Sequence, residues 1–285
     1  MKIIDTSPNM LSAFSGGQFD MKRWKAYADE FIPAAKELFL WDLESVLNAG
    51  YSWQEDFLPV LNAVFSRADK RTEAIGSFHS VVRELDARVI SRFGRSVEAD
   101  LILCLGLCSG AGWVTPLNNR DSVLFGIEKI IELDWCDTDA MNGLVLHELG
   151  HVYHAQYGLF EPVCESASDR FLRQLFNEGI AMVFEQELTC GAEYFHQDRG
   201  GWKERCARNT AYIARSFYAD LEGMTPENQR YFGDWVRFDG MPDTGYYLGA
   251  RFVRFLLAED SFDSIIQFGG DKIREGFIRF MNSLE

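Results

Sequence analysis

The stretch from residue 137 to residue 158 reads DTDAMNGLVLHELGHVYHAQYG, and its pattern decides the fold that we predict. Asp137 or Thr138 can cap the first turn of a helix, and Gly158 stands where a helix commonly ends. Apolar residues fill much of the segment between them, which favours a helix packed into the core. The sequence therefore predicts one long helix that runs to about Gln156.

Two histidines stand four residues apart inside this helix, in the run HELGH. That spacing places the imidazoles of His147 and His151 one turn apart on one face, where both can bind one zinc ion. Glu148 lies beside the pair and can take a proton from a water molecule that zinc activates. Because the helix is strongly apolar, two histidines and a carboxylate are costly there unless a ligand satisfies them. His154 shares roughly the same face and is read as a ligand, a donor to a ligand or a surface residue.

A catalytic zinc ion usually has three protein ligands and leaves one position for water. The segment FNEGIAMVFEQEL (176–188) belongs to a second helix, which we predict from about residue 166 or 168 to residue 188. Glu178 falls on the apolar stripe of this helix, whose other members are Phe171, Leu175 and Met182. A carboxylate on a buried face needs a metal, a cation or hydrogen-bond donors. Glu178 is therefore the candidate third ligand, and the next candidates are Asp169, Glu185 and His154.

Strand patterns occupy two parts of the chain. KIID (2–5) reads as a short opening strand, and ADLILCLGL (99–107) is a continuous apolar run suited to a buried strand. SGAG (109–112) is turn material, and SVLFGIEKI (122–130) reads as another strand. Helical patterns lie before and after this segment without repeated βαβ alternation, which indicates an α+β fold with a small mixed sheet.

Residues 20 to about 94 have helical periodicity, with Asp20 as the N-cap of the first helix. We predict three or four helices there, interrupted at Gly50 and at 76–78. The chain is interpreted as a single catalytic unit of two lobes (1–285). Its parts are the opening strand with the N-terminal helices (1–98), the sheet with the HELGH helix (99–160), and a helical lobe with the third ligand (161–285).

The formal net charge of −15 argues against nucleic acid as the main partner, because phosphate binding needs clustered Lys and Arg. The apolar runs are too short for a membrane span, and the N-terminus lacks the pattern of a secretory signal peptide. We therefore expect a cytoplasmic protein. None of the cysteines form a CxxC pair, so we expect buried thiols rather than disulfides. They are Cys104, Cys108, Cys136, Cys164, Cys190 and Cys206.

HELGH followed by NEGIA (177–181) resembles the gluzincin branch of zinc metallopeptidases, which includes thermolysin-like enzymes and the aminopeptidase N group. Those enzymes carry HExxH and then a ligand glutamate on the next helix, and Glu178 matches that position. The chain also resembles bacterial predicted zinc-dependent proteases of the peptidase MA clan. The gap between His151 and Glu178 is longer than in the aminopeptidases, and the connecting loop (157–168) can absorb the difference.

Two further segments extend the resemblance. TGYYLGARFVRFL (244–256) is similar to the aminopeptidase helix in which a tyrosine stands three residues before a glycine. The resemblance thus implies that the Tyr246 hydroxyl stabilises the oxyanion of the reaction. Tyr247 is the alternative, and both tyrosines can instead be core aromatics.

In gluzincins an edge strand that precedes the active-site helix binds extended substrate through its backbone. Residues 125–128 fit this position by strand addition, and Gly126 would permit close approach. The aminopeptidases bind the free amine of their substrates through a GAMEN-type run at this point. The sequence contains no such run, so exopeptidase activity is not supported.

The resemblance implies a zincin-like α+β fold with a small mixed sheet, an edge strand, an active-site HExxH helix and a mainly helical second lobe. It implies Zn²⁺ held by His147, His151 and Glu178, with Glu148 as general base and Tyr246 as oxyanion donor. The expected reaction is hydrolysis of a peptide or protein substrate. One rival is a zinc hydrolase of a non-peptide bond on the same scaffold. Another is a catalytically silent binding protein, which the intact Glu148 argues against because a structural zinc needs no base.

Overall fold

The computed structural model of the chain describes residues 1–160, 166–189 and 191–284. Cys164 and Cys190, and part of the connecting loop at 157–168, lie outside the described residues. The chain divides into two compact units, Met1–Glu148 and Leu149–Glu285, which are described separately below. None of the helices in the described ranges is long and apolar enough to cross a membrane.

The first unit contains a four-stranded sheet and a short hairpin. The strands are β1 (Lys2–Asp5), β2 (Phe14–Ser15), β3 (Gln18–Phe19), β4 (Asp100–Cys104), β5 (Gly112–Leu117) and β6 (Arg120–Gly126). The sheet order is β1-β4-β6-β5, with β1, β4 and β6 parallel and β5 antiparallel to β6. Leu103 and Cys104 point to opposite faces of β4 and are both fully buried, as expected for a strand covered on both faces. The predicted small mixed sheet of an α+β protein is therefore confirmed.

Along the chain, helices precede and follow the strands of this sheet. They are α1 (Met21–Phe31), α2 (Pro33–Asn48), α3 (Leu58–Ser66), α4 (Ala68–Val82), α5 (Leu85–Phe93), α6 (Ile127–Glu132) and the first part of α7 (Thr138–Tyr157). Short helical turns lie at Met10–Ala13 and Trp53–Phe57. The Asp20 side chain accepts a hydrogen bond from the Arg23 amide at 3.0 Å, so the predicted cap of α1 is confirmed.

The helix interruption predicted at 76–78 is wrong, whereas the one at Gly50 is confirmed. Gly50 follows the end of α2 with a φ of +102°, a conformation that favours glycine. Gly76 instead lies inside α4, between the buried residues Ala74 and Phe78. The packing of that apolar face outweighs the cost of one glycine, which is about 1 kcal/mol in a helix interior.

The strand predicted at 122–130 is half right, because the chain leaves the sheet at Gly126 and forms α6. Ile127, Ile130 and Ile131 are fully buried, and their spacing is helical rather than alternating. The expectation that 125–128 forms an edge strand is wrong, since β6 lies between β4 and β5.

A turn that the sequence prediction did not include explains why β6 is not at the edge of the sheet. Asn118 and Asn119 form a two-residue connection between β5 and β6, with φ values of +51° and +60°. Positive φ at both positions is typical of the type I′ turns that close β-hairpins. The hairpin places β5 outside β6, so β5 is an edge of the sheet.

The second unit is helical over most of its described residues. After the end of α7 it contains α8 (Ala167–Leu188), α9 (Trp202–Arg208), α10 (Thr210–Asp220), α11 (Thr244–Leu256), α12 (Phe262–Ile265) and α13 (Gly270–Ser283), with a helical turn at Leu221–Gly223. Its core is aromatic, and rings of Phe176, Phe252 and Phe277 pack with centroids 6.2 Å and 5.2 Å apart.

A close helix crossing in this unit joins α8 to α11 through two glycines. A Cβ on Gly179 would lie 2.6 Å from the carbonyl carbon of Gly249, and a Cβ on Gly249 would lie 2.5 Å from the Leu175 oxygen. Backbone therefore contacts backbone, and neither position can carry a side chain without separating the helices. Glu178 immediately precedes this crossing.

Candidate metal centre

The helix α7 carries both histidines of the HELGH run. Asp137 caps it by accepting a hydrogen bond from the Ala140 amide at 2.9 Å, and the helix ends just before Gly158. Both ends agree with the sequence prediction. His147 and His151 are buried, with 3% and 9% of their surface exposed. They stand one turn apart, so their rings lie on the same face of the helix.

The helix α8 supplies the carboxylate. Ser166 caps it by accepting a hydrogen bond from the Asp169 amide at 3.1 Å, which confirms the earlier of the two predicted starts. The Glu178 side chain is 14% exposed, and its Oε2 lies 3.2 Å from Nε2 of His151. The predicted stripe is present, because Phe171, Leu175 and Met182 are buried on the same helix.

A close approach of α7 to α8 explains this contact. Gly150, inside the HELGH run, has no side chain where the two helices meet. A Cβ there would lie 2.8 Å from Cα of Ala181 and 3.1 Å from Cβ of Phe184. Because Ala181 follows Glu178 by three residues, the crossing holds that turn of α8 against the turn that carries His151.

His147, His151 and Glu178 together form a buried group that could hold a metal ion, with one ligand atom from each residue within 4.8 Å of the others. Zinc binds nitrogen and oxygen ligands at about 2.0–2.2 Å, so two tetrahedral ligands lie about 3.4 Å apart. The 3.2 Å between His151 and Glu178 fits that geometry. Two imidazoles and one carboxylate are also a donor set that catalytic zinc sites use.

Glu148 lies next to the first of these histidines and faces the edge strand. Its side chain is buried, with 9% exposed. A Cβ on Gly112, the first residue of β5, would lie 2.5 Å from Oε1 of Glu148 and in closer contact with its Cγ. The bare backbone of Gly112 therefore lets the carboxylate lie directly against the start of the edge strand.

The two tyrosines of α11 have different surroundings. Tyr247 is 2% exposed, its ring packs on Phe195 at 5.4 Å, and its hydroxyl lies 3.2 Å from Oγ1 of Thr210. These contacts make it a core aromatic residue. Tyr246 is half-buried, its ring lies 6.3 Å from that of Phe232, and it stands one turn before Gly249, whose backbone contacts α8.

The other candidate ligands have partners of their own. Nε2 of His154 donates a hydrogen bond to the Ile266 carbonyl at 3.1 Å. Asp169 accepts from Arg274 at 2.5 Å, and the buried Glu185 contacts Nδ1 of His196 at 3.0 Å. Within the described ranges, the group that could hold a metal ion contains none of these three.

His154 gives the second unit a pH-dependent stability that can be measured without metal. Burial lowers the pKa of His154 to about 3, from an ordinary value near 6.5. Since the folded pKa lies below the unfolded one, the stabilisation is complete above about pH 6.5 and is lost as the pH falls. Between about pH 7 and pH 5 the metal-free chain should lose about 2 kcal/mol of unfolding free energy from this residue.

Urea denaturation in the presence of a chelator measures this loss. His154→Gln retains an N–H donor for the Ile266 carbonyl but does not titrate, so it should lose about 2 kcal/mol less than the wild type over the same interval. Equal losses in both proteins would contradict the assignment.

Sequence reasoning missed one buried acid in the first unit. Glu128, in the first turn of α6, is fully buried, and its carboxylate accepts hydrogen bonds from the Gly106 and Cys108 amides at 3.0 Å each. Burial raises the pKa of Glu128, and these backbone donors oppose that rise. The contacts fix the loop that leads from β4 to Gly112. The signal in the sequence was an acidic residue among the isoleucines of the run 127–131.

The thiol prediction holds for the buried cysteines that the structure describes. Cys104, Cys136 and Cys206 are fully buried, and burial raises the pKa of Cys136 to about 11 and that of Cys206 to about 12. Thiolate forms of these residues are therefore scarce at neutral pH, which suits packing rather than metal binding.

Comparisons of the chain with protein-family models, with curated proteins and with solved structures found no match. The functional assignment therefore depends on the residues and geometry of the group itself.

Proposed function

We propose that this protein is a zinc-dependent peptidase with a zincin-like fold. The observation that carries the proposal is the buried group of His147, His151 and Glu178, with Glu148 next to the first ligand. An intact glutamate beside two histidine ligands is expected of a hydrolase, because a purely structural zinc site has no use for a base. A mixed sheet whose antiparallel edge strand precedes the HExxH helix supports the zincin-like fold.

Each residue of the group has a chemical role in this proposal. His147, His151 and Glu178 would hold the ion, which when bound would acidify a water molecule and polarise a carbonyl group. Glu148 accepts a proton on its carboxylate and passes it to the leaving nitrogen. Burial of Glu148 against Gly112 keeps bulk water away from that carboxylate and fixes its orientation.

The edge strand β5 is the proposed support for an extended peptide. This corrects the segment, 125–128, to which the sequence assigned the role. Strand addition gives main-chain hydrogen bonds without selecting a side chain, and it needs an edge with unpaired N–H and C=O groups. Because β5 begins against Glu148, a peptide paired with it would bring one of its bonds beside the proposed base.

Zinc binding is the first test. The wild-type chain is expected to bind one zinc ion, measured by elemental mass spectrometry after dialysis, and His147→Ala with His151→Ala should bind none. His79→Ala is the matched control, because it removes a half-exposed histidine that pairs with Asp5 instead. Stoichiometric zinc in the double variant would refute the site.

Peptide cleavage is the second part of that test. A peptide library analysed by mass spectrometry should contain products that disappear on chelation and return with zinc. Stoichiometric zinc without any peptide cleavage would favour hydrolysis of a non-peptide bond or a silent binding protein.

Tyr246 is the proposed oxyanion donor. Tyr246→Phe removes one hydroxyl and keeps the ring, so zinc content and folding should be unchanged. Loss of such a donor typically lowers kcat about 10²–10³-fold, with a much smaller change in KM. Steady-state kinetics on a cleaved peptide would measure this. Tyr247→Phe is the control, since that hydroxyl contacts Thr210. Full activity in Tyr246→Phe would leave the tyrosine as a packing residue.

A further inference from the structure

The edge strand β5 contains a proline, and the hydrogen-bond register decides which way that proline faces. The Gly126 amide donates to the Ala111 carbonyl at 3.1 Å, and these two residues continue by one step the register in which Gly112 stands opposite Phe125. In an antiparallel ladder, opposite residues that exchange hydrogen bonds alternate with opposite residues that do not. Residues 113, 115 and 117 therefore bond inward to β6.

The turn gives the same register independently. A two-residue type I′ connection at Asn118 and Asn119 closes on a hydrogen-bonded pair, here Leu117 and Arg120. The alternate residues Gly112, Val114 and Pro116 consequently direct their backbone groups away from β6, along the side of β5 where the described residues add no further strand.

These three residues do not present the same backbone hydrogen-bonding groups to a partner strand. Gly112 and Val114 each present an N–H donor and a C=O acceptor, whereas Pro116 presents a carbonyl alone. The proline ring also occupies the space where an N–H would meet a partner carbonyl. The edge can thus form full pairs at two positions, and pairing stops at the third.

We propose that Pro116 is a specificity-determining residue that limits strand pairing of the substrate to the segment opposite Gly112 and Val114. This inference rests on the proposed function. It assigns a substrate class: peptides held in extended form over a short segment that includes the cleaved bond. Main-chain pairing adds affinity up to the residue opposite Val114, and residues from the position opposite Pro116 onward add none. The bound segment is short because β5 spans only Gly112–Leu117 and turns back at once.

The test is a length series of peptides built on a sequence that the wild type cleaves. Each peptide is extended by one residue at a time on either side of the cleaved bond, and its Kd is measured by calorimetry. The zinc-loaded Glu148→Gln variant serves as the host, so that the peptides bind without turnover. In this host the Kd should fall with length and then stay constant once the peptide extends beyond the position opposite Val114. A plateau is also expected on the other side, where β5 begins at Gly112, so the side on which the Pro116 variants below change the plateau gives the direction of the bound peptide.

Pro116→Ala and Pro116→Val in the same host restore the outward N–H with a small and with a β-branched side chain. The peptide that reaches position 116 should then bind about fivefold more tightly, the effect of one added hydrogen bond. Thr115→Val is the matched control, because residue 115 bonds inward to β6. This control should keep the wild-type length dependence.

The outcomes separate the two proposals. One outcome is that the wild type cleaves peptides but the Kd in the host continues to fall through the position opposite Pro116. That outcome overturns the inference and leaves the peptidase proposal unaffected. Folded Pro116 variants that leave the length dependence unchanged also overturn it. If those variants do not fold, the length series in the Glu148→Gln host, whose β5 strand keeps Pro116, decides whether the inference stands. If no library peptide is either cleaved or bound, both proposals are overturned.

Discussion

Glu148→Gln is expected to lower kcat about 10³-fold while zinc content stays at one ion per chain. General acid–base catalysis by a positioned side chain contributes about 10²–10⁴-fold, and the amide cannot accept a proton. Gln keeps the shape of Glu, so the contact with Gly112 and the packing around the buried side chain should survive. Steady-state kinetics and elemental analysis of the same preparation measure both quantities.

Glu178→Gln is the matched comparison, because it makes the same chemical change at the proposed ligand. This variant should bind zinc more weakly, since a neutral amide oxygen replaces a charged donor 3.2 Å from His151. Normal zinc affinity in Glu178→Gln would exclude Glu178 as a ligand. Normal turnover in Glu148→Gln would exclude Glu148 as the base.

Gly179→Ala is expected to reduce the unfolding free energy of the metal-free chain by about 2 kcal/mol and to weaken zinc binding at least about tenfold. The added methyl group would lie 2.6 Å from the carbonyl carbon of Gly249 and 2.8 Å from Cγ2 of Val253. Because backbone atoms cannot move aside as a side chain can, α8 and α11 must separate. Glu178 is the preceding residue, so the separation would displace a proposed ligand.

Gly76→Ala is the control for the intrinsic effect of the substitution. Gly76 also lies inside a helix, but a Cβ there would meet no atom within 4 Å. Alanine should therefore stabilise the chain by about 0.5–1 kcal/mol, through helix propensity alone. Urea denaturation with a chelator and zinc competition with a chromogenic chelator measure the two effects. A Gly179→Ala protein as stable as the wild type would show that the crossing is not close-packed.

The juxtaposition of His147, His151 and Glu178 could be predicted from sequence because every part of it depends on helical periodicity. A spacing of four fixes two histidines on one face of α7, and the apolar stripe of α8 places Glu178 among buried residues. The caps at Asp137 and Ser166 are local hydrogen bonds between a side chain and an amide three residues onward, so they too are visible in sequence.

The sheet edge could not be predicted in the same way, since strand order depends on contacts between distant segments. Apolar residues fill both β6 and α6, and a short apolar run does not distinguish a strand from a buried helix. Asn118 and Asn119 were the missed signal, because they specify the hairpin that places β5 outside β6. The support that Glu128 gives to the loop before Gly112 depends on burial, which periodicity does not show.

An open strand edge exposes a protein to self-association as well as to ligands. Unpaired N–H and C=O groups can template a strand from another copy of the chain, and long flat edges lead to aggregates. β5 limits this hazard by its length, by the Asn118–Asn119 turn that closes it and by a proline that cannot donate. The proline that we propose to limit peptide pairing therefore also disfavours self-association. A variant selected to pair with a longer peptide segment would need another feature that prevents aggregation.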